Sequence, residues 1–115
     1  MSDLTDLRDR MRAFTTERDW AQFHDPKSLL LALMGEVGEL SELFQWLPAE
    51  QAAPLAAEEP LKTRVSEEVA DVLIYLVRLA DVLDIDLAAS AQSKLDRAER
   101  RFPVHTVRGA APKKS

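Results

Sequence analysis

Two pairs of acids stand out by their spacing. Glu36 and Glu39 lie three residues apart in Gly35-Glu-Val-Gly-Glu39, and Glu68 and Asp71 repeat that interval in Glu67-Glu-Val-Ala-Asp71. On a helix such an interval puts both side chains on one face. At about 100° per residue, Leu29, Leu33, Val37, Leu40, Leu43 and Phe44 form an apolar arc; Glu36 falls inside it, Glu39 at its edge beside Trp46, and Glu42 further out. The second pair is alike. Val65, Val69, Val72, Leu76, Leu79 and Leu83 form a stripe, Glu68 falls between Leu79 and Tyr75, and Asp71 is one step further round. A carboxylate in low dielectric must protonate or find a counter-charge, and four sharing one place repel. A divalent cation removes the conflict, and an all-carboxylate donor set selects Mg²⁺ or Mn²⁺ over zinc. A di-iron bundle uses Glu-x-x-His, and neither segment holds a histidine. The competing reading is a solvated acidic face, common in a chain with 20 Asp and Glu. Two pairs that both invade an apolar arc favour the metal site.

Four helices must position these acids. The first is predicted over about Asp3 to Trp20, where Leu4, Leu7, Met11 and Phe14 recur at helical spacing. Asp25-Pro26 reads as an N-cap followed by proline at the first helical position, which starts a second helix running to about Trp46. Pro48, Pro54 and Pro60 fall in residues 48–60, which are therefore read as a connection and not a helix interior. A third helix covers about Leu61 to Leu83, and Asp84-Ile-Asp86 caps a fourth that runs to about Arg101, before Pro103. Residues 1–104 are expected to form the domain and 105–115 a flexible tail. Gly35 and Gly38 each cost roughly 1 kcal/mol relative to Ala inside a helix, so a neighbouring helix or a ligand is expected close to the backbone there. Ile74, Val77 and Val82 lie off the main stripe of the third helix, leaving Arg78 and Asp81 as its strongly polar positions between Val72 and Leu83. A helix apolar nearly all round is buried on all sides. For so short a chain that implies homo-oligomerisation, with a two-fold axis the default.

The whole composition agrees with an all-α class. Among 115 residues, Leu and Ala, the residues that lose least entropy in a helix, occur 17 and 16 times. The absence of cysteine excludes a disulfide scaffold, a thiolate metal site and a Cys nucleophile, and only His24 and His105 offer imidazole. A formal charge of −5 argues against a grip on a nucleic-acid polymer. The first residues lack a signal-peptide pattern, and an apolar run such as Val72 to Val77 is too short for a bilayer. The expected compartment is the cytoplasm, with no membrane partner.

Three blocks, in order, resemble a known family. Gly35-Glu-Val-Gly-Glu-Leu-Ser-Glu-Leu-Phe-Gln-Trp46 and Ser66-Glu-Glu-Val-Ala-Asp-Val-Leu-Ile-Tyr-Leu76 closely resemble the MazG-like nucleotide pyrophosphohydrolases. Phe14-Thr-Thr-Glu-Arg-Asp-Trp-Ala-Gln-Phe-His-Asp-Pro-Lys27 looks like the dCTP pyrophosphatase branch. The likeness covers residues 10–104. It implies an all-α four-helix bundle completed by assembly into dimers or tetramers, and Mg²⁺-dependent hydrolysis of deoxynucleoside triphosphates, dCTP and modified dCTP first, to monophosphate and pyrophosphate. Such an enzyme would clear unwanted nucleotides from the pool. By that likeness Glu36, Glu39, Glu68 and Asp71 are the metal ligands and catalytic acids, with Glu39 the choice to orient the attacking water. Trp20 and Trp46 match the base pocket, Tyr75 lies near the acids, and Lys94 is the candidate for a triphosphate contact. Two positions depart from the family pattern: Ala98 stands where relatives often have asparagine, and Met11 where animal enzymes of this branch have a histidine that contacts the base. Both bear on base choice, so dUTP or dTTP is the alternative within the reaction class. A non-enzymatic helical interaction module is the alternative outside it.

Overall fold

The computed structural model describes residues 2–111, and all its regular structure is helical. Helix α1 spans Asp3–Glu17, a single 3₁₀ turn spans Ala21–Phe23, and α2 spans Pro26–Phe44. Then come α3 (Ala49–Ala56), α4 (Leu61–Val82), α5 (Leu87–Arg101) and the one-turn α6 (Val104–Val107). The all-α class is therefore as expected from composition. None of the described helices is long and apolar enough to cross a membrane.

Capping sets most boundaries. Ser2 accepts from the Thr5 amide, Asp25 from Ser28 and Asp86 from Ala89, each satisfying an amide that the first helical turn leaves unpaired. Pro26 follows Asp25 at the start of α2, where a missing N–H costs nothing. Helix α1 stops at Glu17, three residues short of Trp20, because Asp19 takes a left-handed φ of 53° that reverses the chain.

The chain divides into two compact units between Asp84 and Ile85. In the first, α1, α2 and α3 all pack on α4. Residues 48–60 correct the sequence reading, since a two-turn helix, α3, forms where a connection was expected. Pro48 takes only the N-cap position, and Pro54 forfeits one amide bond inside α3. Four alanines in that helix, at 49, 52, 53 and 56, have the highest intrinsic helix propensity and offset that loss.

The inward face of α4 is a second correction. Val77, Arg78 and Ala80 are its buried residues, whereas Val69, Leu76 and Leu83 of the expected stripe are 49%, 37% and 46% exposed. A helix apolar all round gives periodicity no means of choosing which face its own chain covers. The neighbouring helix expected at Gly35 and Gly38 is a third: a Cβ built on either meets nothing within 4 Å, so no helix of the described chain approaches them closely. The second unit holds α5 and α6. Helix α6 lies at the start of the segment read as a tail, whose last residues, 112–115, fall outside the described part.

Candidate metal centre

Helices α2 and α4 each carry one acidic pair, and their packing brings three of the four acids together. One carboxylate oxygen from each of Glu36, Glu39 and Glu68 lies within 4.8 Å of the others. Asp71 is outside that group, though its charge bears on both Glu36 and Glu68. Glu36 and Glu68 are half-buried and Glu39 is exposed, so the cluster is dry on one side and open on the other.

The inner side is electrostatically unsatisfied. Glu36 Oε2 and Glu68 Oε2 are both buried and have no hydrogen-bond partner among the described residues. Buried acceptors are normally paired, and orphaning one costs roughly 1–3 kcal/mol. Desolvation pushes the Glu36 carboxyl up to about 7, reinforced by the neighbouring Glu39 carboxyl and then by Glu68 and Asp71. Glu68 is raised for the same first reason, with Glu39 next, while its contact to Glu36 acts in the opposite sense. Two buried, proton-hungry oxygens converging with a third, open carboxylate form an arrangement a hard divalent cation would satisfy. The donor set, oxygen only, fits Mg²⁺ or Mn²⁺.

The open side is a cleft of about 330 Å³ lined by Glu39, Glu42, Leu43, Arg64, Glu67 and Glu68. Arg64 and Glu67 have no role in the sequence reading, and Glu42 lies outside its apolar arc. The signal was present: Arg64 precedes Glu67 and Glu68 by three and four positions, and Glu42 follows Glu39 by three, so each shares a helical face with a cluster member.

None of Trp20, Trp46 and Tyr75 lines this cleft. Trp20, 45% exposed, sits just before the 3₁₀ turn with its ring 5.7 Å from that of Phe14, edge to face. Trp46 is 86% exposed beyond the end of α2, and Tyr75 is half-buried on α4. Lys94 belongs to the second unit, where with Arg97, Ala98, Arg101 and Phe102 it lines a separate basic cleft of about 300 Å³. His24 is held by a bond that sequence spacing does not reveal. Its Nδ1 accepts from Arg78 Nε at 3.0 Å.

Known proteins share both sequence and fold with this chain. The model of the MazG-like family matches residues 33–112. Bovine (Bos taurus) dCTP pyrophosphatase 1 is 50% identical over 110 residues, and the human (Homo sapiens) protein of that name 46%. Each alignment covers 96% of this chain but 65% of the relative, so the chain spans about two-thirds of the length of these curated proteins. Among solved structures, a pyrophosphatase from Archaeoglobus fulgidus DSM 4304 superposes with a TM-score of 0.81 at 36% identity, covering 90% of this chain and 94% of that one.

Proposed function

From the premise that this chain belongs to the MazG-like family, we propose that it hydrolyses deoxynucleoside triphosphates, dCTP and its modified forms first, to monophosphate and pyrophosphate. The observation that carries this reading is the convergence of Glu36, Glu39 and Glu68 within 4.8 Å, with one buried, unpartnered oxygen on each of two of them. The names of the mammalian relatives and of the archaeal structure agree with the reaction class.

Glu36, Glu39 and Glu68 would hold Mg²⁺, with Asp71 adding charge or a ligand from the next turn of α4. When bound, Mg²⁺ supplies charge neutralisation to the phosphate oxygens, the principal requirement of phosphoryl transfer. The exposed Glu39 faces the cleft and is the carboxylate suited to orient a water and accept its proton. Glu36 and Glu68, held by helix packing on the dry side, fix the cluster and need no histidine or cysteine. Trp20 and Trp46 offer exposed indole faces for a pyrimidine ring, with Tyr75 a lesser candidate and Lys94 a cation for the triphosphate.

Homo-oligomerisation, as a dimer or tetramer, is part of the proposal. Only Leu29, Leu33, Val77 and Ala80 are buried apolar residues among those described, while Leu31, Met34 and Trp46 are 61%, 58% and 86% exposed. That imbalance suits a chain that completes its core with a second copy. A cytoplasmic, nucleotide-clearing role follows from the same reading.

The test is hydrolysis with Mg²⁺ of the four deoxynucleoside triphosphates, dUTP and 5-methyl-dCTP, with products resolved. Monophosphate plus pyrophosphate from dCTP above the others supports both reaction and base. Spread across bases keeps the reaction and discards the cytosine choice, as Met11 and Ala98 would explain. No turnover would favour a helical interaction module.

A further inference from the structure

The buried polar group on α4 lies outside the carboxylate cluster. Arg78 is 8% exposed, and its guanidinium is held at two points: Nε donates to His24 Nδ1 at 3.0 Å, and a terminal nitrogen donates to Asp81 Oδ2 at 3.2 Å. Asp81 in turn accepts both nitrogens of an Arg12 fork from α1. One pair of residues on α4 therefore ties down α1 on one side and the end of the 3₁₀ turn on the other.

That turn carries Trp20 at its entrance through an unbroken backbone chain. The His24 amide donates to Ala21 O at 3.1 Å, the Phe23 amide to Trp20 O at 2.9 Å, and the Trp20 amide to Thr15 O at 3.0 Å. The indole then meets Phe14 edge-on. Among the described residues, the side-chain hydrogen bond that ties this turn to α4 is the one between His24 and Arg78. We propose that Arg78 is a positioning residue, which through the His24 imidazole fixes the Ala21–Phe23 turn and so the orientation of Trp20. The consequence for substrate rests on the reading of Trp20 as a base-stacking side chain; the consequence for the turn does not.

The bond demands one protonation state. Arg78 is donor only, so Nδ1 must keep its lone pair and His24 must be neutral, with its proton on Nε2. Burial and the Arg78 charge both hold the imidazole below its usual range. The other charged groups nearby are committed elsewhere: Asp81 to Arg78 and Arg12, Asp25 to Ser28, and Asp19 to Gln22. Acid therefore removes the acceptor and sets two cations face to face, releasing the turn.

Trp20 fluorescence in a Trp46→Phe background reads this directly, without metal or substrate. The Trp46→Phe parent is expected to show Trp20 emission that moves to longer wavelength as pH falls below 6.5. His24→Asn, whose amide oxygen stands near the position of Nδ1 but does not titrate, keeps the pH 8 emission and abolishes the acid transition. Arg78→Ala shifts the pH 8 emission to the acid-form value, and Arg78→Lys restores part of it. An Arg78→Ala protein with parental emission at pH 8, or a His24→Asn protein with the parental acid transition, overturns the proposal. Should Arg78→Ala fail to fold by circular dichroism, the His24→Asn comparison decides alone. In turnover assays Arg78→Ala is expected to raise KM several-fold with kcat held. If Trp20→Ala leaves KM unmoved, the base-stacking reading fails while the emission results still judge the positioning of the turn.

Discussion

At the scale of single residues, Glu36 and Glu68 are carboxylates that burial makes unwilling to ionise. Glu36 titrates near 7 in the fold, above its ordinary 4.5, so its protonated form is the one the metal-free fold prefers. The stability this contributes is fully present below pH 4.5 and lost as pH rises through about 7. Metal-free protein is expected to lose melting temperature between pH 5 and 8 relative to Glu36→Gln, and the difference between the two curves isolates Glu36. Asp81 behaves in the opposite sense, because Arg12 holds it below its ordinary 3.8. Its contribution is present above pH 3.8 and lost as pH falls through the lower folded value. Asp81→Asn should therefore be less stable than the parent at neutral pH, with the gap closing in strong acid, as urea unfolding at pH 7 and pH 2.5 would measure. Turnover should vanish, by at least a hundredfold, in Glu36→Gln and Glu68→Gln with circular dichroism unchanged. The acidic pairs were legible in the sequence because their intervals match a helical face and their positions break an apolar arc. The His24–Arg78 bond was not, since it joins residues 54 positions apart.

Helices are the next scale, and here local rules succeeded where one residue decides and failed where two effects compete. Asp25-Pro26 and Asp86 set the starts of α2 and α5 as read, since a cap acts within one turn. Helix α3 escaped because three prolines outvoted the alanines in a residue-by-residue reading, whereas only Pro54 sits where it removes a helical bond. The glycines of α2 make a sharper case. Helical propensity predicts a close neighbour at Gly35 and Gly38, yet space beside both is open within the chain. Gly38→Ala is therefore expected to stabilise the protein by about 1 kcal/mol in denaturant unfolding. A loss of similar size would mean that a surface outside this chain packs on Gly38.

For the whole molecule, the exposed apolar surface is the feature a single chain leaves unexplained. The reading of α4 as buried on all sides pointed to it, although the face this chain covers holds Val77 and Ala80 and not the longer stripe. Leu31 on α2 and Leu73 on α4 are 61% and 38% exposed. Sedimentation velocity is expected to give a dimer or tetramer for the parent, and a smaller species for Leu31→Asp combined with Leu73→Asp. A parent that sediments as a monomer would contradict the oligomeric part of the account while leaving the carboxylate cluster in place.

The cluster itself is tested most directly by the melting temperature at pH 8 as Mg²⁺ is added, in the parent and in Glu68→Gln. Binding to the folded state alone stabilises by about 1.4 kcal/mol at ten times Kd. The parent is expected to melt progressively higher with Mg²⁺, and Glu68→Gln is expected not to respond. Equal shifts in the two proteins, or none in either, would contradict a metal centre at Glu36, Glu39 and Glu68.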